Sequence, residues 1–365
     1  MAKPDPSAEP KLINLALQGG GAHGAFSWGV LDRLLEDPRV EIEAITGASA
    51  GAMNAVALAA GYHAGDREEA REALRLFWNG VLDEARTSPL RRSPIEAMLG
   101  SWNLDASPAY VMFDLVTRLA SPYDLNPYNL NPLKDLVVSL VDFDRVRKSK
   151  VKVFISATNV ETGRAHVWDK KDLTADHVMA SACLPWLFQA VEIDGVPYWD
   201  GGFTGNPALW PLFEHCKSDD VVLVQINPIK RPGAPTTARD IINRVNEITF
   251  NAALLHDLRA IDFVTRLIEA GRLEGTGYRR MLVHAIADEK ALSALGASSK
   301  FNVEPDFIDM LFGKGREAAE NWLHTSFHHV GVRSTVNVRK LFHGDDDSLD
   351  GDQLKPPRRK PKAAE

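Results

Sequence analysis

Residues 47–51 read Gly47-Ala48-Ser49-Ala50-Gly51, and residues 19–24 read Gly19-Gly20-Gly21-Ala22-His23-Gly24. Apolar residues alternate over 13–17, which predicts a strand directly before the glycine-rich stretch. Apolar residues recur at helical spacing over 26–35, and 42–46 could form a second short strand. Strand, helix and strand in this order predict two parallel strands joined by a right-handed crossover, and therefore an α/β fold.

The rest of the chain carries further secondary-structure signals. They predict a helix over Ala50–Ala60 that ends at Gly61, a helix over Asp66–Asn79, a strand over Val151–Ala157, a helix over Asp176–Cys183, a hairpin over Val191–Tyr198 that turns at Asp194-Gly195, and a strand over Val221–Ile226 that is buried on both faces. Helical patterns dominate from about residue 236 to 330.

Composition and charge narrow the class of protein. The chain has 365 residues, of which 45% are hydrophobic and 25% charged, as in an ordinary globular protein. The formal net charge of −7 argues against a nucleic-acid partner held by overall charge. The presence of only two cysteines argues against a disulfide framework, and no secretory signal or apolar run of about 18 residues is evident. We expect a cytoplasmic protein whose membrane contact, if any, is peripheral and transient.

Changes in composition suggest four segments. They are a disordered lead-in at 1–11, a catalytic domain at 12–211 with a cap insertion at 82–134, a largely helical C-terminal extension at 212–343 packed on that domain, and a disordered charged tail at 344–365. The cap could equally be a structural loop. The basic stretch Lys355–Lys362 could touch anionic lipid or form part of a solvated tail.

Ser49 stands where a strand passes into a helix, and small residues flank it. This arrangement is typical of a nucleophile elbow, a tight turn that needs small residues such as Gly47 and Gly51. The helix N-terminus would also favour an anion beside the serine. The alternative is a chance occurrence of the pattern in a chain rich in alanine and glycine.

The glycine stretch has two interpretations. Gly19, Gly21 and Gly24 fit the dinucleotide-binding pattern, but that pattern needs an acidic residue at the end of the second strand. The predicted second strand instead ends at Thr46 and runs into the elbow. The other interpretation is an oxyanion hole, in which the backbone N–H groups of Gly20 and Gly21 face the developing charge. Adjacent parallel strands would place this loop beside Ser49, so the oxyanion hole is favoured.

A serine nucleophile needs a base. An α/β-hydrolase would use a late histidine, but the late histidines of this chain have no recognisable catalytic context. Asp200 is the better candidate, because the following Gly201 and Gly202 allow a sharp turn that leaves the carboxylate open to a partner. A plain Asp-Gly turn is the alternative.

The glycine stretch, the Ser49 motif and Asp200-Gly201-Gly202, in this order, resemble the bacterial patatin-like acyl hydrolases. The segment 180–188 and residues 157–159 add weaker similarity, and the resemblance covers about residues 12–211. It implies a three-layer α/β/α fold with a mainly parallel central sheet, a helical insertion and a helical C-terminal extension.

The resemblance also implies a mechanism without metal or cofactor. Ser49 would be the nucleophile and Asp200 the general base of a Ser-Asp dyad that hydrolyses carboxylic esters through an acyl-enzyme. The oxyanion hole would be formed by Gly19, Gly20 and Gly21, and the supporting motif residues would be Gly24, Gly47, Gly51, Gly201 and Gly202. The substrate would be a phospholipid or another lipid ester, with a small acyl ester or a polyester oligomer as further options.

One position departs from the family pattern. Many relatives carry Arg or Lys where His23 stands, and histidine does not guarantee a positive charge at neutral pH. If His23 does not bind the substrate, it could point into solvent.

Two other classes of function stay open at this point: a dinucleotide-binding oxidoreductase, and a non-catalytic lipid-binding protein on the same fold. An acyl pocket could be lined by Trp102, Tyr123, Tyr128, Trp186, Leu187 and Phe188, which could equally be core residues. The sequence carries no signal for the oligomeric state.

Overall fold

The computed structural model describes residues 9–231 and 233–344. The predicted charged tail after residue 344, with its basic stretch, and most of the predicted lead-in therefore lie outside the described residues. The strands of the described part are β1 (Lys11–Leu17), β2 (Val40–Gly47), β3 (Lys152–Asn159), β4 (Ala165–Asp169), β5 (Val191–Ile193), β6 (Val196–Asp200), β7 (Asp220–Val224) and β8 (Leu282–Ile286).

These strands form one sheet in the order β5-β6-β3-β2-β1-β7-β8, with β4 paired to β3. The strands from β3 through β2, β1 and β7 to β8 run parallel to one another, whereas β4, β5 and β6 pair antiparallel. The mainly parallel sheet predicted from the sequence is confirmed. The hairpin turn is also confirmed, because Asp194 and Gly195 have φ of 53° and 78°, as a two-residue hairpin of this kind requires.

Helices cover both faces of the sheet. They are α1 (Gly24–Glu36), α2 (Ala50–Ala64), α3 (Arg67–Glu84), α4 (Pro94–Met98), α5 (Pro108–Leu119), α6 (Pro122–Leu125), α7 (Pro132–Leu140), α8 (Phe143–Lys148), α9 (Ala175–Ser181), α10 (Trp210–His215), α11 (Ala238–Glu269), α12 (Glu289–Ser293), α13 (Pro305–Thr325) and α14 (Val338–His343).

Strand β1 shows how the three layers arise. Ile13, Leu15 and Leu17 belong to the core beneath α1, α2 and α13, whereas Ala16 belongs to a second core with α10 and α11. Successive side chains of a strand point to opposite faces, so one buried strand contributes to both cores. This burial on both faces explains the continuous apolar sequence of the strand.

The structure corrects several bounds predicted from the sequence; the helix predicted over 66–79, for instance, continues to Glu84. The second helix does not end at Gly61 but continues to Ala64. Glycine is needed there because a Cβ atom would lie 2.4 Å from the Glu69 carbonyl oxygen of α3, so Gly61 marks close helix packing rather than a helix end. In addition, the C-terminal region that helical patterns dominate also contains strand β8, which is short and was not recognised.

The C-terminal residues share one sheet and one helix layer with the residues that precede them. Strands β7 and β8 extend the central sheet from β1, and α13 packs along α1. The two helices come so close that a Cβ atom on Gly29 would lie 2.0 Å from the Phe312 carbonyl oxygen, and one on Gly315 would lie 2.0 Å from that of Phe26. The extension is therefore positioned against the strand and helix that flank the glycine-rich loop.

Candidate active site

Ser49 lies at the carboxyl end of the sheet, between β2 and the N-terminus of α2. Its backbone has φ 52° and ψ −122°, a conformation that non-glycine residues rarely adopt and that costs roughly 1–3 kcal/mol. Its amide donates a hydrogen bond to Oγ of Ser181 at 2.9 Å, and Ser181 Oγ donates to the Ser156 carbonyl oxygen at 2.7 Å. Hydrogen bonds from α9 and β3 thus fix the strained turn. A sharp, strained turn between a strand and a helix is typical of a nucleophile elbow.

The glycine-rich loop lies directly against this elbow. Leu17 pairs with Gly47, so the loop after β1 and the turn after β2 leave the sheet side by side. A Cβ atom on Gly19 would lie 2.7 Å from Ser49 Cβ, which explains why this position needs glycine. The Gly19 amide donates to Asn206 Oδ1 at 2.6 Å and is thereby occupied within the protein.

The amides of Gly20 and Gly21 stand at the start of the 3-10 turn Gly21–His23. The first N–H groups of a helical turn have no partner within that turn, so they can bind an anion. Both glycines line the same pocket as Ser49.

Asp200 ends strand β6 and is 1% exposed. Its carboxylate accepts a hydrogen bond from the Gly202 amide at 2.6 Å, and it lines the same pocket as Ser49, whose hydroxyl lies close enough to lower the Asp200 pKa. Burial raises the pKa of the Asp200 carboxyl to about 7, against the opposing effects of these two groups and of the Lys300 ammonium. A carboxylate with this pKa can take and return a proton near neutral pH.

His23 does not point into solvent, contrary to one of the two possibilities left by the sequence. It is 3% exposed, and burial, with help from the charges of Lys300 and Arg231, lowers its pKa to about 3. His23 is therefore neutral. Ser299 Oγ donates to the Gly296 carbonyl oxygen at 2.7 Å, so it accepts the N–H of His23 Nε2 at 2.8 Å.

Several residues that sequence reasoning did not single out support the site. Asn227 follows β7, and its side-chain amide donates to the Gly19 carbonyl oxygen at 2.7 Å. The Gln18 side-chain oxygen accepts the amides of Ile226 and Asn227, both at 2.9 Å. Asn227 could have been found, because it follows a parallel strand at the edge of the sheet where ligands bind. Ser181 lies in a segment already noted for weak similarity, whereas no pattern pointed to Lys300.

A pocket of about 1300 Å³ opens at Ser49, Asp200 and the glycine-rich loop. Its walls are mainly apolar, with side chains from α2, α3 and α5 and from the start of α11. It exceeds the roughly 300–1,000 Å³ of ordinary small-molecule sites. The space is therefore suited to a long apolar group beside the serine.

The predicted pocket residues separate into two groups. Trp186, Leu187 and Phe188 line the pocket. Trp102 instead stacks on Phe307 and under the guanidinium of Arg92, while Tyr123 and Tyr128 are 57% and 85% exposed.

The late histidines have other partners. His284 is buried on β8, with Nε2 at 2.9 Å from Asp220 Oδ1 and Nδ1 at 3.0 Å from Thr335 Oγ1. His324 is exposed and pairs with Glu320 on the same helix. His284 is thus held in the core and His324 lies at the surface, in agreement with the interpretation of these histidines as packing or surface residues.

The chain is similar to known proteins in sequence and in structure. A model of the family described as patatin-like phospholipase matches residues 15–213. Among solved structures, the crystal structure of VipD from Legionella pneumophila is similar at 17% sequence identity and a TM-score of 0.42, covering 87% of this chain and 67% of that chain.

Within residues 9–231 and 233–344, no helix is both long and apolar enough to cross a membrane.

Proposed function

This chain belongs to the patatin-like phospholipase family and is a lipid acyl hydrolase, and we propose that it cleaves carboxylic esters through an acyl-enzyme on Ser49, with Asp200 as its base. The observation that carries the proposal is that Ser49, in the strained turn after β2, and the buried Asp200 carboxylate face the same pocket. A nucleophile within hydrogen-bond reach of a base is the arrangement that covalent catalysis needs.

The proposed acylation step uses these groups in sequence. Ser49 Oγ attacks the ester carbonyl carbon, and its proton passes to the Asp200 carboxylate. The carbonyl oxygen becomes negatively charged and accepts hydrogen bonds from the amides of Gly20 and Gly21. The Gly19 amide, which donates to Asn206, holds the loop in place. When the intermediate collapses, the ester C–O bond breaks and the leaving alcohol takes the proton from Asp200.

Deacylation repeats the same chemistry with water. Asp200, again ionised, removes a proton from a water molecule that attacks the acyl carbon. Collapse breaks the bond to Ser49 Oγ, which regains its proton from Asp200, and the carboxylic acid leaves. The apolar walls and size of the pocket support a long acyl chain as the group bound beside Ser49.

We further propose that helix α5 places this pocket at a lipid surface. Val111, Leu115 and Leu119 follow one another at four-residue spacing, and they are 45%, 49% and 78% exposed. Residues spaced in this way share one face of a helix. The opposite side of α5 contributes Phe113 and Val116 to the pocket wall.

The apolar face is continuous with the mouth of the pocket. Met112, Leu125 and Ile242 line the pocket and are also exposed, at 59%, 47% and 37%. Exposed apolar patches of this kind mark interaction sites in soluble proteins. Because the family acts on lipids, a lipid surface is the partner that would both cover the patch and deliver the substrate.

The test of the dyad is labelling by a fluorophosphonate that carries a long alkyl chain, combined with hydrolysis of a p-nitrophenyl ester. The wild-type protein should be labelled at Ser49 alone. Ser49→Ala should abolish labelling and hydrolysis, and Asp200→Asn should reduce both by about three orders of magnitude or more, within the range for loss of a general base. Ser139→Ala and Asp144→Asn, at surface positions, are the matched controls and should behave as wild type.

Full activity of Ser49→Ala in a folded protein would overturn the proposal. Binding to vesicles without any labelling would instead point to a non-catalytic lipid-binding protein. A panel of phospholipid, triacylglycerol, short ester and polyester oligomer would then identify the class of ester that is cleaved fastest.

A further inference from the structure

Lys300 comes from the C-terminal extension and reaches the pocket that holds Ser49 and Asp200. It lies in the 3-10 turn Ser298–Phe301, far beyond the segment 15–213 that matches the family model. This turn packs on the glycine-rich loop so closely that a Cβ atom on Gly21 would lie 2.5 Å from the Lys300 carbonyl oxygen. The main chain around Lys300 is therefore fixed relative to the proposed oxyanion donors.

The Lys300 ammonium is linked to the glycine-rich loop by a short chain of hydrogen bonds. Nζ donates to Asn227 Oδ1 at 2.8 Å, and Asn227 Nδ2 donates to the Gly19 carbonyl oxygen at 2.7 Å. The ammonium also lies 5.2 Å from the centre of the Phe250 ring, within the range of a cation–π interaction. These contacts hold a positive charge in a largely apolar wall.

The charged groups around Lys300 indicate which acidic side chain its positive charge acts on. The charges of Glu247 and Asp200 raise the Lys300 pKa and that of Arg231 lowers it, while Lys300 itself lowers the pKa of His23. Glu247 is already paired with Arg231, at 2.6 Å, and with Arg244, at 3.2 Å. His23 is neutral and contributes no charge to the loop. Asp200, which lines the same pocket as Lys300, is thus the acid of this group whose charge is not already balanced by an arginine.

We propose that Lys300 is a positioning residue of the hydrolase site, which keeps Asp200 ionised and, through Asn227, holds the glycine-rich loop in its anion-binding conformation. The proposal rests on the function proposed above for Ser49 and Asp200. It assigns a role to the C-terminal extension: the extension supplies the positive charge that the neutral His23 cannot supply within the loop.

The charge pair has a defined effect on pH dependence. The Lys300 charge opposes the rise of the Asp200 pKa, which burial brings to about 7. Burial lowers the pKa of Lys300 to about 8, against the opposing effects of Glu247 and Asp200. The form with Asp200 ionised and Lys300 protonated therefore predominates only in a narrow window near pH 7–8. A bell-shaped profile follows, whose two limbs belong to the pair.

The experiment compares three variants with the wild-type full chain: Lys300→Met, Lys300→Gln and Lys300→Arg. The control is Lys290→Met, at an exposed position of α12. kcat/KM for a soluble, uncharged p-nitrophenyl ester is measured from pH 5 to 10, together with the rate of fluorophosphonate labelling and the melting temperature. A neutral ester is chosen because it does not titrate in this range.

Lys300→Met should lower kcat/KM at pH 7 by about tenfold or more, through kcat rather than KM. Loss of the Lys300 charge raises the Asp200 pKa, and each unit of that rise lowers the ionised fraction of Asp200 up to tenfold. Its acidic limb should move to higher pH, and its alkaline limb should vanish. Lys300→Gln, which can still donate to Asn227, should show the same shifted limb with a smaller loss of kcat. Lys300→Arg should keep the acidic limb near its wild-type position and move the alkaline limb beyond pH 10.

A Lys300→Gln variant that folds and keeps both limbs of the wild-type profile would overturn the proposal. If Lys300→Met does not fold, the other two variants still distinguish the two effects. Lys300→Gln keeps a hydrogen-bond donor without the charge, whereas Lys300→Arg keeps the charge. Absence of labelling in the wild type would refute the function proposed for Ser49, and this inference with it. Normal wild-type labelling with unchanged variants would refute the role of Lys300 alone.

Discussion

The backbone amide of Ser49 is held by the hydroxyl of Ser181, 132 positions later in the chain, at 2.9 Å. This bond fixes the strained turn from outside, because the hydroxyl of Ser181 is itself anchored on the Ser156 carbonyl oxygen. The serine of the elbow therefore depends on a second serine that carries no chemistry.

We predict that Ser181→Ala lowers kcat/KM about tenfold while the protein stays folded. The change leaves a buried amide without an acceptor, which costs about 1–3 kcal/mol, and lets the turn relax. Steady-state kinetics with a p-nitrophenyl ester measures the effect. Ser139→Ala, which removes a hydroxyl bonded only to its own helix, should be neutral. Equal kinetics for the two variants would contradict a supporting role for Ser181.

The acidic limb of the activity profile should reflect Asp200. Because the carboxylate must be ionised to act as base, kcat/KM should fall tenfold per pH unit below about 7, the pKa to which burial raises Asp200. His23 cannot account for such a limb, since its pKa is lowered to about 3. A rate that stays constant between pH 5 and 7 would show that another group is the base.

Asp200 should also reduce stability at alkaline pH. Its pKa in the folded state lies above the ordinary value of 3.8, so the folded protein binds more protons than the unfolded chain between about pH 4 and 7. The free energy of unfolding therefore falls as pH rises through this window. Asp200→Asn, which mimics the neutral carboxyl, should raise the melting temperature at pH 8 by a few degrees and change it little at pH 4.

Calorimetry or thermal circular dichroism at the two pH values tests this expectation. The control Asp144→Asn removes an exposed carboxylate and should produce no such pH-dependent gain. The predicted gain in melting temperature over wild type is larger at pH 8 than at pH 4. A gain that is smaller at pH 8 than at pH 4, or a loss at pH 8, would contradict the prediction.

The contact between α1 and α13 allows a matched pair of substitutions on one helix. Gly315→Ala would place a Cβ atom 2.0 Å from the Phe26 carbonyl oxygen, so α13 must move away from α1, and we expect a loss of stability of about 1–3 kcal/mol. Gly313→Ala, for which no atom lies within 4 Å of the new Cβ, should be neutral or stabilise by about 0.5–1 kcal/mol. Urea unfolding measures both; similar effects would mean that the helices are not closely packed there.

Substitution of the exposed face of α5 should separate lipid docking from chemistry. Leu115→Asp with Leu119→Asp should weaken binding to phosphatidylcholine vesicles several-fold and slow hydrolysis of vesicle lipid, while cleavage of a soluble short ester is unchanged. Val332→Asp replaces an apolar residue that is 66% exposed elsewhere on the surface and should have no effect.

Vesicle flotation and size-exclusion chromatography distinguish the possible occupants of this face. Unchanged flotation of the Leu115→Asp, Leu119→Asp protein would refute docking through α5. A change from dimer to monomer, without loss of vesicle binding, would show that the face is covered by a second copy of the chain.

The pairing of β1 with β2 could be predicted because it depends on local patterns: alternating strands, a helical repeat between them, and glycine at both strand ends. The predicted position of the glycine-rich loop beside Ser49 is confirmed by the register of Leu17 with Gly47. Strand β8 was missed because five residues of apolar sequence do not distinguish a short strand from the buried part of a helix.

His23 and Lys300 mark the limit of inference from sequence. Whether a histidine is charged depends on its burial and on neighbouring charges. For His23 the neighbouring charges are those of Lys300 and Arg231, and its hydrogen-bond partner is Ser299, all of them remote along the chain. No local pattern indicates that Lys300 and Asp200 line the same pocket.

The α/β class, the resemblance to patatin-like hydrolases and the candidates Ser49 and Asp200 can be predicted from local sequence, because strands, tight turns and small residues leave local signatures. Three other features become visible in the folded chain: the neutral state of His23, the hydrogen bond from the Gly19 amide to Asn206, and the approach of Lys300 to the pocket. They depend on burial, charge interactions and hydrogen bonds, and the fold sets the distances for these between residues that are remote in sequence.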